Sequence, residues 1–252
     1  MSGTVFVGKV VVAFNSLSST NEYAAQLLQA KETVFEGTLI RADFQTGGKG
    51  YSGNGWESEA GQNLMASIIL KPVFLLPRRQ FFLNQAISLA VAETVSEITY
   101  TEGIKIKWPN DIFFTNKKVA GILIENAVQG NQLLHSVIGI GLNINQQKFS
   151  PELKHATSLS MLAGKPLDIG KVQDLLCEKI EYRYLQLKSN HIEQLQKDYM
   201  KQLYRAGEES VFRANGNRFN AKIAGLTAEG KLILQLHDHH EVFGFKEVEM
   251  VI

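Results

Sequence analysis

Between Ile104 and Asn143 the chain is a succession of short β-rich runs separated by shorter turns, and this pattern constrains the fold more than any other feature. A parallel neighbour needs a crossover of a dozen or more residues, whereas a short turn joins antiparallel neighbours. The turns fall at Pro109-Asn110-Asp111, Asn116-Lys117 and Gln129-Gly130-Asn131. We therefore expect an antiparallel sheet in this part of the chain.

Strands and helices alternate in the remainder of the first 205 residues. Strands are predicted at 10–14, 38–44 and 63–70, and apolar residues at helical spacing predict helices over 20–30, 77–103, 168–187 and 192–203. Ser19 stands three residues before Glu22, which predicts a reciprocal cap at the first helix. Together these elements indicate an α+β protein with a mixed, mainly antiparallel sheet and packed helices.

The pattern changes after Gly207, where five short β-runs are joined by turns. We place a domain boundary near Arg205, with a larger domain over 1–205 and a small β-barrel over 206–252. A barrel of this size is marginally stable alone, so it should dock on the larger domain.

Composition excludes several classes of protein. The 252 residues include 26 Lys and Arg against 25 Asp and Glu, and a net charge of +1 argues against a broad nucleic-acid footprint. No apolar run approaches the ~18 residues of a membrane span, and residues 1–4 do not resemble a signal peptide. We expect a cytoplasmic protein. The single cysteine, Cys177, rules out an internal disulfide and is expected to be a buried structural thiol.

Five of the 21 glycines lie in the nine residues 47–55. Glycines allow backbone N–H groups to approach a ligand together, and Lys49 adds a cation, so the segment suits phosphate. An ordinary flexible surface loop is the alternative, at about even odds. The spacing matches neither the dinucleotide-binding GxGxxG nor the phosphate-binding GxxxxGK[ST] pattern.

Two further segments carry candidate functional residues. A hairpin turning at 115–117 would place Asp111 and Lys118 near the ends of adjacent strands, facing one site, although each could be an ordinary turn residue. The apolar run Val137-Ile138-Gly139-Ile140-Gly141-Leu142-Asn143 contains two glycines where a flat group could lie on the backbone, and it could equally be a core strand.

These segments together resemble the biotin–protein ligases, which attach biotin to carrier domains of carboxylases. The resemblance runs from about residue 10 to 252. It rests on Ser18-Ser19-Thr20-Asn21, on Lys107-Trp108-Pro109-Asn110-Asp111 followed by Lys117-Lys118-Val119-Ala120-Gly121-Ile122-Leu123-Ile124-Glu125, and on Gly139-Ile140-Gly141-Leu142-Asn143-Ile144-Asn145, in the family's order and spacing.

The resemblance implies a role for each matching residue. The biotin ureido ring would be contacted by Ser19 and Thr20, with Gln45 and Gly48 bordering the pocket. The loop would close over biotinyl-adenylate, and Lys118 would approach the biotin carboxylate and the α-phosphate. Asp111 would help receive the carrier lysine. The remaining residues implied in ligand binding are Asn21, Lys49, Gly50, Tyr51, Trp56 on the adenine side, Gly121 beneath the ligand and Asn143 on the nucleotide side.

The resemblance also implies a fold and a set of ligands. The fold is that of class II aminoacyl-tRNA synthetases, followed by an SH3-like barrel. Biotin and ATP would be substrates, ATP implies Mg²⁺, and the sequence names no metal ligands. The partner would be a biotin carboxyl carrier protein or domain. Some family members are also repressors with an N-terminal DNA-binding domain, a role that the charge and the nine residues before Val10 do not favour, and a homodimer remains open.

Two other functions stay open at this stage. A lipoate or octanoyl transferase of related fold would acylate with a different group, and a biotin sensor would bind biotin without releasing pyrophosphate from ATP.

Two sequence features are not assigned a function. The run His237-Asp238-His239-His240 is more typical of a solvated turn than of a metal site. Lys246 could reach the nucleotide, but ranks no higher than a surface lysine.

The glycine-rich loop departs from the family pattern. Many members have GRGRxG, whereas this chain has Gly48-Lys49-Gly50-Tyr51-Ser52-Gly53. Lysine keeps the charge but lacks the bidentate fork, and tyrosine keeps a hydroxyl and a ring.

We therefore predict that biotinyl-adenylate escapes faster from this chain than from a loop containing both arginines. The substitution Tyr51→Arg should slow dissociation of the intermediate, because a guanidinium can pair with its phosphate. Release of radiolabelled biotinyl-adenylate measures the rate. An unchanged dissociation rate in Tyr51→Arg contradicts the prediction.

Overall fold

The computed structural model describes residues 3–30, 33–50 and 55–251. The larger of its two sheets has seven strands. The strand order is β1-β2-β3-β7-β6-β5-β4. The strands are β1 (Val11–Leu17), β2 (Leu39–Gln45), β3 (Leu64–Leu70), β4 (Ile104–Lys107), β5 (Asp111–Phe114), β6 (Lys117–Gln129) and β7 (Gln132–Leu142). Only the β1–β2 pair is parallel, and every other pair in this sheet is antiparallel. The predicted mixed, mainly antiparallel sheet is confirmed.

The parallel pair requires a crossover, which helix α1 (Thr20–Gln29) supplies. Its N-cap is Ser19, whose hydroxyl accepts from the backbone N–H of Glu22. A reciprocal cap also predicts a bond from the Ser19 N–H to the Glu22 carboxylate. In its place, the Glu22 carboxylate accepts from the Ser18 hydroxyl and pairs with Lys49. Residue Glu22 therefore links the start of α1 to the glycine-rich loop.

Four more α-helices follow in the described chain, of which α2 and α5 contact the sheet and α3 and α4 pack on α2: α2 (Phe81–Thr99), α3 (Leu159–Ala163), α4 (Ile169–Lys188) and α5 (Ile192–Gln202). Helix α2 is apolar around most of its circumference and is buried along most of its length, since it contacts both the sheet and helices α4 and α5. The segment Pro77–Arg79, predicted as the first turn of α2, is a separate 3-10 turn. Helix α3 was missed, because five residues carry too little periodicity to detect.

A second sheet of five strands is formed by the C-terminal part of the chain, in the order β11-β10-β9-β8-β12. Its strands are β8 (Glu209–Ala214), β9 (Asn217–Leu226), β10 (Leu232–Gln235), β11 (His240–Phe243) and β12 (Glu249–Met250), all antiparallel. This sheet is consistent with the expected SH3-like barrel. The boundary between 205 and 206 stays a prediction, and the segment there bonds to both sheets through Tyr204 N–H to Ile106 O and Gly207 N–H to Ile223 O.

Residue Cys177 lies on the buried face of α4 and is 1% exposed, as predicted. Burial raises the pKa of its thiol to about 12, and the nearby carboxylates of Asp174 and Glu178 add to the effect. The thiol is therefore protonated and unreactive at neutral pH. No helix in the described parts of the chain is long and apolar enough to cross a membrane.

The segment before β1 is fixed to helix α4 by one buried carboxylate. The two oxygens of Glu181, which is 6% exposed, accept from the backbone N–H groups of Val5, Phe6 and Val7 at 2.6, 2.8 and 2.9 Å. Three donors converging on one charged acceptor make strong hydrogen bonds.

We predict that Glu181→Gln lowers the free energy of unfolding by about 2 kcal/mol, because an amide oxygen cannot serve all three donors and the amide N–H₂ would face them. Urea denaturation measures the loss. The control is Glu178→Gln, whose carboxylate accepts from Gly3 N–H in an exposed position and should matter little. Equal losses of unfolding free energy in both variants would show that the buried hydrogen bonds of Glu181 stabilise the fold no more than the exposed bond of Glu178.

Candidate functional site

A cleft of about 470 Å³ opens where the start of α1 and the end of β2 meet strands β5, β6 and β7. Ten of the residues singled out from the sequence line it, drawn from three separate segments: Ser19, Thr20, Asn21, Gln45, Lys49, Gly50, Trp56, Asp111, Lys118 and Gly121. The fold therefore brings the predicted site residues to one place.

Glycines form the floor of the cleft. Gly121 of β6 and Gly141 of β7 are direct partners across the two strands, so neither contributes a side chain at that point. The indole of Trp56 lies on them: a Cβ on Gly141 would approach the ring to 2.3 Å, and one on Gly121 to 3.1 Å. Next to them, a Cβ on Gly139 would meet the Asn21 amide at 2.5 Å. The flat group expected on this backbone is thus, in this structure, the chain's own Trp56.

One end of the cleft is rich in neutral hydrogen-bonding groups. The Gln45 side-chain carbonyl accepts from Thr20 N–H at 2.7 Å and from its hydroxyl at 3.0 Å. Behind them the buried Ser67 hydroxyl lies 2.7 Å from the Thr20 hydroxyl and 2.6 Å from the Asn21 amide oxygen. The network fixes the orientation of the side chains, and since the Gln45 carbonyl already accepts two bonds, the amide N–H₂ of Gln45 is the part that can serve a ligand.

The opposite end carries one ion pair. Lys118 Nζ lies 2.7 Å from Asp111 Oδ1, and 5.5 Å from the Trp56 ring centroid. The β5–β6 hairpin turns at Thr115, and a register shift after Ile112 brings Lys118 opposite Phe113. The prediction that a carboxylate and an ammonium face one site from adjacent strands is confirmed geometrically.

The backbone of Lys118 is held from a third segment. Its N–H donates to His155 O at 2.6 Å, and its carbonyl accepts from Thr157 N–H at 2.9 Å. Two strands and this segment therefore fix the backbone from which the ammonium extends.

Lys49 lines the cleft but its ammonium is engaged outside it. Its Nζ lies 2.5 Å from Glu22 Oε1 on α1. Hydrogen bonding to Lys49 lowers the pKa of Glu22, and the same bond raises the pKa of Lys49. A ligand anion would compete with Glu22 for this cation.

Within the described residues, two of those predicted from the sequence are not among the ones that line the cleft. Gly48 lies just behind it, where a Cβ would meet Trp56 O at 2.7 Å and Gln45 Nε2 at 3.1 Å. Asn143 is 4% exposed, and its amide donates to Thr157 O at 3.0 Å, which ties the end of β7 to the segment that holds Lys118. Tyr51 lies outside the described residues.

Sequence reasoning missed several residues of the site. The walls include the apolar side chains of Ala66, Ile122, Leu123 and Ile140, which as strand residues looked like core. Asn110 also lines the cleft, with its amide donating to Ile122 O at 2.6 Å. Its place in the Lys107–Asp111 motif was the available signal.

A wider groove of about 1440 Å³ continues from the cleft and runs between the two sheets. It shares Trp56, Asp111 and Lys118 with the cleft and adds two lysines, Lys107 and Lys246. Burial lowers the pKa of Lys107, and the charge of Asp111 works in the opposite direction. Lys246, set aside in the sequence, thus borders the same open space as Lys118.

Comparison with known proteins places this geometry in a family. The family model described as the biotin/lipoate A/B protein ligase family matches residues 13–143, which is more than half of the chain. The chain belongs to this family.

Individual relatives extend the match over most of the chain. The bifunctional ligase/repressor BirA of Bacillus subtilis is 36% identical over 243 residues, which cover 93% of this chain and 72% of that protein. The biotin–[acetyl-CoA-carboxylase] ligase of Mycobacterium tuberculosis is 30% identical over 189 residues, covering 73% of this chain and 68% of that one. The structure of the biotin protein ligase from Aquifex aeolicus in complex with biotin and ATP has a TM-score of 0.80 at 27% identity, covering 96% and 99% of the two chains.

We predict that Gly141→Ala displaces the Trp56 indole and weakens ligand binding at least about tenfold, since a methyl group at 2.3 Å from the ring cannot be accommodated without movement. Calorimetry with biotin, and the fluorescence of Trp56 in a Trp108→Phe background, measure the two effects. The control is Gly225→Ala, because a Cβ there meets nothing within 4 Å. Unchanged binding and fluorescence in Gly141→Ala would count against a floor shaped by glycine.

Proposed function

We infer that this chain is a biotin–protein ligase, which activates biotin with ATP and transfers the biotinyl group to a lysine of a carboxylase carrier. One observation carries the inference beyond family membership. The cleft has neutral hydrogen-bonding groups at Ser19, Thr20 and Gln45, apolar walls in the middle, and an ammonium at Lys118. Biotin has the same order of chemistry: a ureido ring, a sulfur-containing ring with an aliphatic chain, and a carboxylate.

The first step joins two anions. A carboxylate does not acylate an amine at neutral pH because its leaving group is poor, so ATP converts it to a mixed anhydride with AMP and pyrophosphate is released. An ammonium about 4 Å from the reacting oxygens offsets roughly 4 kcal/mol of repulsion at an effective dielectric near 20, before desolvation. We assign this role to Lys118, which the surrounding backbone hydrogen bonds already hold in place.

The second step needs a neutral amine. The carrier lysine loses its proton, its nitrogen attacks the anhydride carbonyl, and AMP leaves. Asp111 lies at the junction of cleft and groove, where it can orient or accept that proton. When the adenylate phosphate competes for Lys118, the Asp111 carboxylate is released from its ion pair and becomes available to the incoming ammonium group.

The groove between the sheets is the space for the rest of the nucleotide and for the carrier. Trp56 would border the adenine, and Lys107 and Lys246 add positive charge where phosphates would lie. Residues 3–30, 33–50 and 55–251 contain no group of three or more His, Cys, Asp or Glu side chains able to hold a metal. Because Mg²⁺ is commonly held by substrate phosphates with only one or two carboxylates, we expect it to arrive with the ATP phosphates.

The proposed partner is a biotin carboxyl carrier protein or domain. We assign no DNA target, since the net charge is +1. A cytoplasmic location agrees with a single, buried, reduced cysteine.

We predict that Lys118→Ala lowers the rate of adenylate formation on the order of 10³-fold, the equivalent of about 4 kcal/mol, because the repulsion between the two anions is no longer offset. Biotin-dependent exchange of pyrophosphate into ATP measures the rate. The matched control is Lys117→Ala, an exposed neighbour on the same turn that lines neither cavity. A wild-type rate of pyrophosphate exchange in Lys118→Ala would contradict the role of this residue in adenylate formation.

Two outcomes would support another function instead. Thermal stabilisation by lipoate but not by biotin would favour a lipoate or octanoyl transferase, although a dithiolane ring makes no use of the hydrogen-bonding end of the cleft. Biotin binding without pyrophosphate release or a labelled carrier would indicate a sensor.

A further inference from the structure

Trp108 lines the groove and contacts the C-terminal part of the chain. Its indole N–H donates to Gly230 O at 2.9 Å, and its ring stacks on Phe245 with centroids 5.3 Å apart and planes inclined by 17°. Both partners belong to the C-terminal part of the chain.

The partners of Trp108 are themselves fixed. Phe245 also packs on Phe81 of α2 at 5.9 Å, and Phe81 packs on Tyr199 of α5 at the same distance. Gly230 has a φ of +85°, and a Cβ there would meet the Phe81 ring at 2.1 Å. Tight contacts on two sides leave little room for this part of the C-terminal sheet to shift relative to α2.

Trp108 is three residues before the carboxylate that the proposed reaction uses. The segment 108–110 joins β4 to β5, and Asp111 is the first residue of β5. At its far end, Asn110 is fixed to β6 by two bonds, from its amide to Ile122 O at 2.6 Å and from Ile122 N–H to Asn110 O at 2.9 Å. The turn that presents Asp111 to Lys118 therefore has two anchors, one on β6 and one on the C-terminal sheet.

We propose that Phe245 is a positioning residue for the ligase reaction. Phe245 packs on Trp108 and so holds the turn at residues 108–110. This turn sets the position of Asn110 and Asp111 relative to Lys118. This proposal rests on the proposed function. It gives the C-terminal sheet a mechanical task at the active site, distinct from any contact of its own with substrate.

Phe245 should affect catalysis and not the binding of biotin. The groups assigned to the ureido ring, Ser19, Thr20 and Gln45, lie at the other end of the cleft, and these hydrogen bonds of theirs do not involve Trp108. Loosening the turn should therefore lower turnover and leave the affinity for biotin nearly unchanged. A ring that served only to stabilise the fold would change the free energy of unfolding without this selective effect on turnover.

The test compares variants at temperatures where circular dichroism shows them folded. Phe245→Ala should lower kcat for pyrophosphate exchange and for transfer to a carrier domain by about 10- to 100-fold, with KM for biotin within about twofold, because small displacements of reacting groups have effects of this size. Phe245→Tyr keeps the ring and should restore kcat. The control Val242→Ala, on the half-exposed face of β11, should behave as wild type.

A second variant keeps the proposal testable if Phe245→Ala does not fold. Trp108→Phe retains an aromatic ring on Phe245 but loses the donor to Gly230, and it should lower kcat severalfold with KM for biotin unchanged. A folded Phe245→Ala or Trp108→Phe enzyme with wild-type kcat, or a loss of kcat matched by an equal loss in Val242→Ala, overturns the proposal. Failure of the wild-type chain to form biotinyl-adenylate would instead overturn the proposed function.

Discussion

The site depends on the direct pairing of Gly121 with Gly141 across strands β6 and β7. Side chains at these two positions would fill the space that the cleft occupies, and the indole of Trp56 could not lie on the backbone. The rest of the site is arranged around this bare patch of sheet. Lys118 and Asp111 flank it on one side, and the start of α1 with Gln45 closes the other. Van der Waals exclusion at two backbone positions thus determines where chemistry can occur.

Much of this arrangement could be predicted from the sequence, because the signals were local. Short turns between β-rich runs indicated antiparallel neighbours, and a two-strand hairpin brought Asp111 and Lys118 together from spacing alone. The Ser19 cap and the buried Cys177 followed from local patterns as well. The short helix α3 and the 3-10 turn at Pro77–Arg79 escaped prediction for local reasons, whereas the failure at the start of α1 was non-local. The carboxylate of Glu22 pairs with Lys49 and does not cap its own helix, since a charged partner from another loop forms a stronger bond than a backbone N–H.

The roles of individual residues were harder to predict than their proximity. Ile122 and Ile140 alternate like core residues, and only the tertiary structure shows that they line a cavity. Asn143 is adjacent to the glycine-containing strand, yet its amide is used to hold the segment behind Lys118. Trp108 belongs to the most recognisable motif of the chain, and its partners, Gly230 and Phe245, lie more than 100 residues away. Sequence spacing carries no information about contacts at such separations.

The solitary thiol of Cys177 has a practical consequence. Because it is shielded within helix α4 and remains protonated well above neutral pH, maleimides and similar reagents should leave the native chain unmodified. A cysteine introduced on any exposed loop would then be the one site to accept a fluorophore, a spin label or a crosslinker. The native cysteine therefore need not be replaced before a label is attached for spectroscopy.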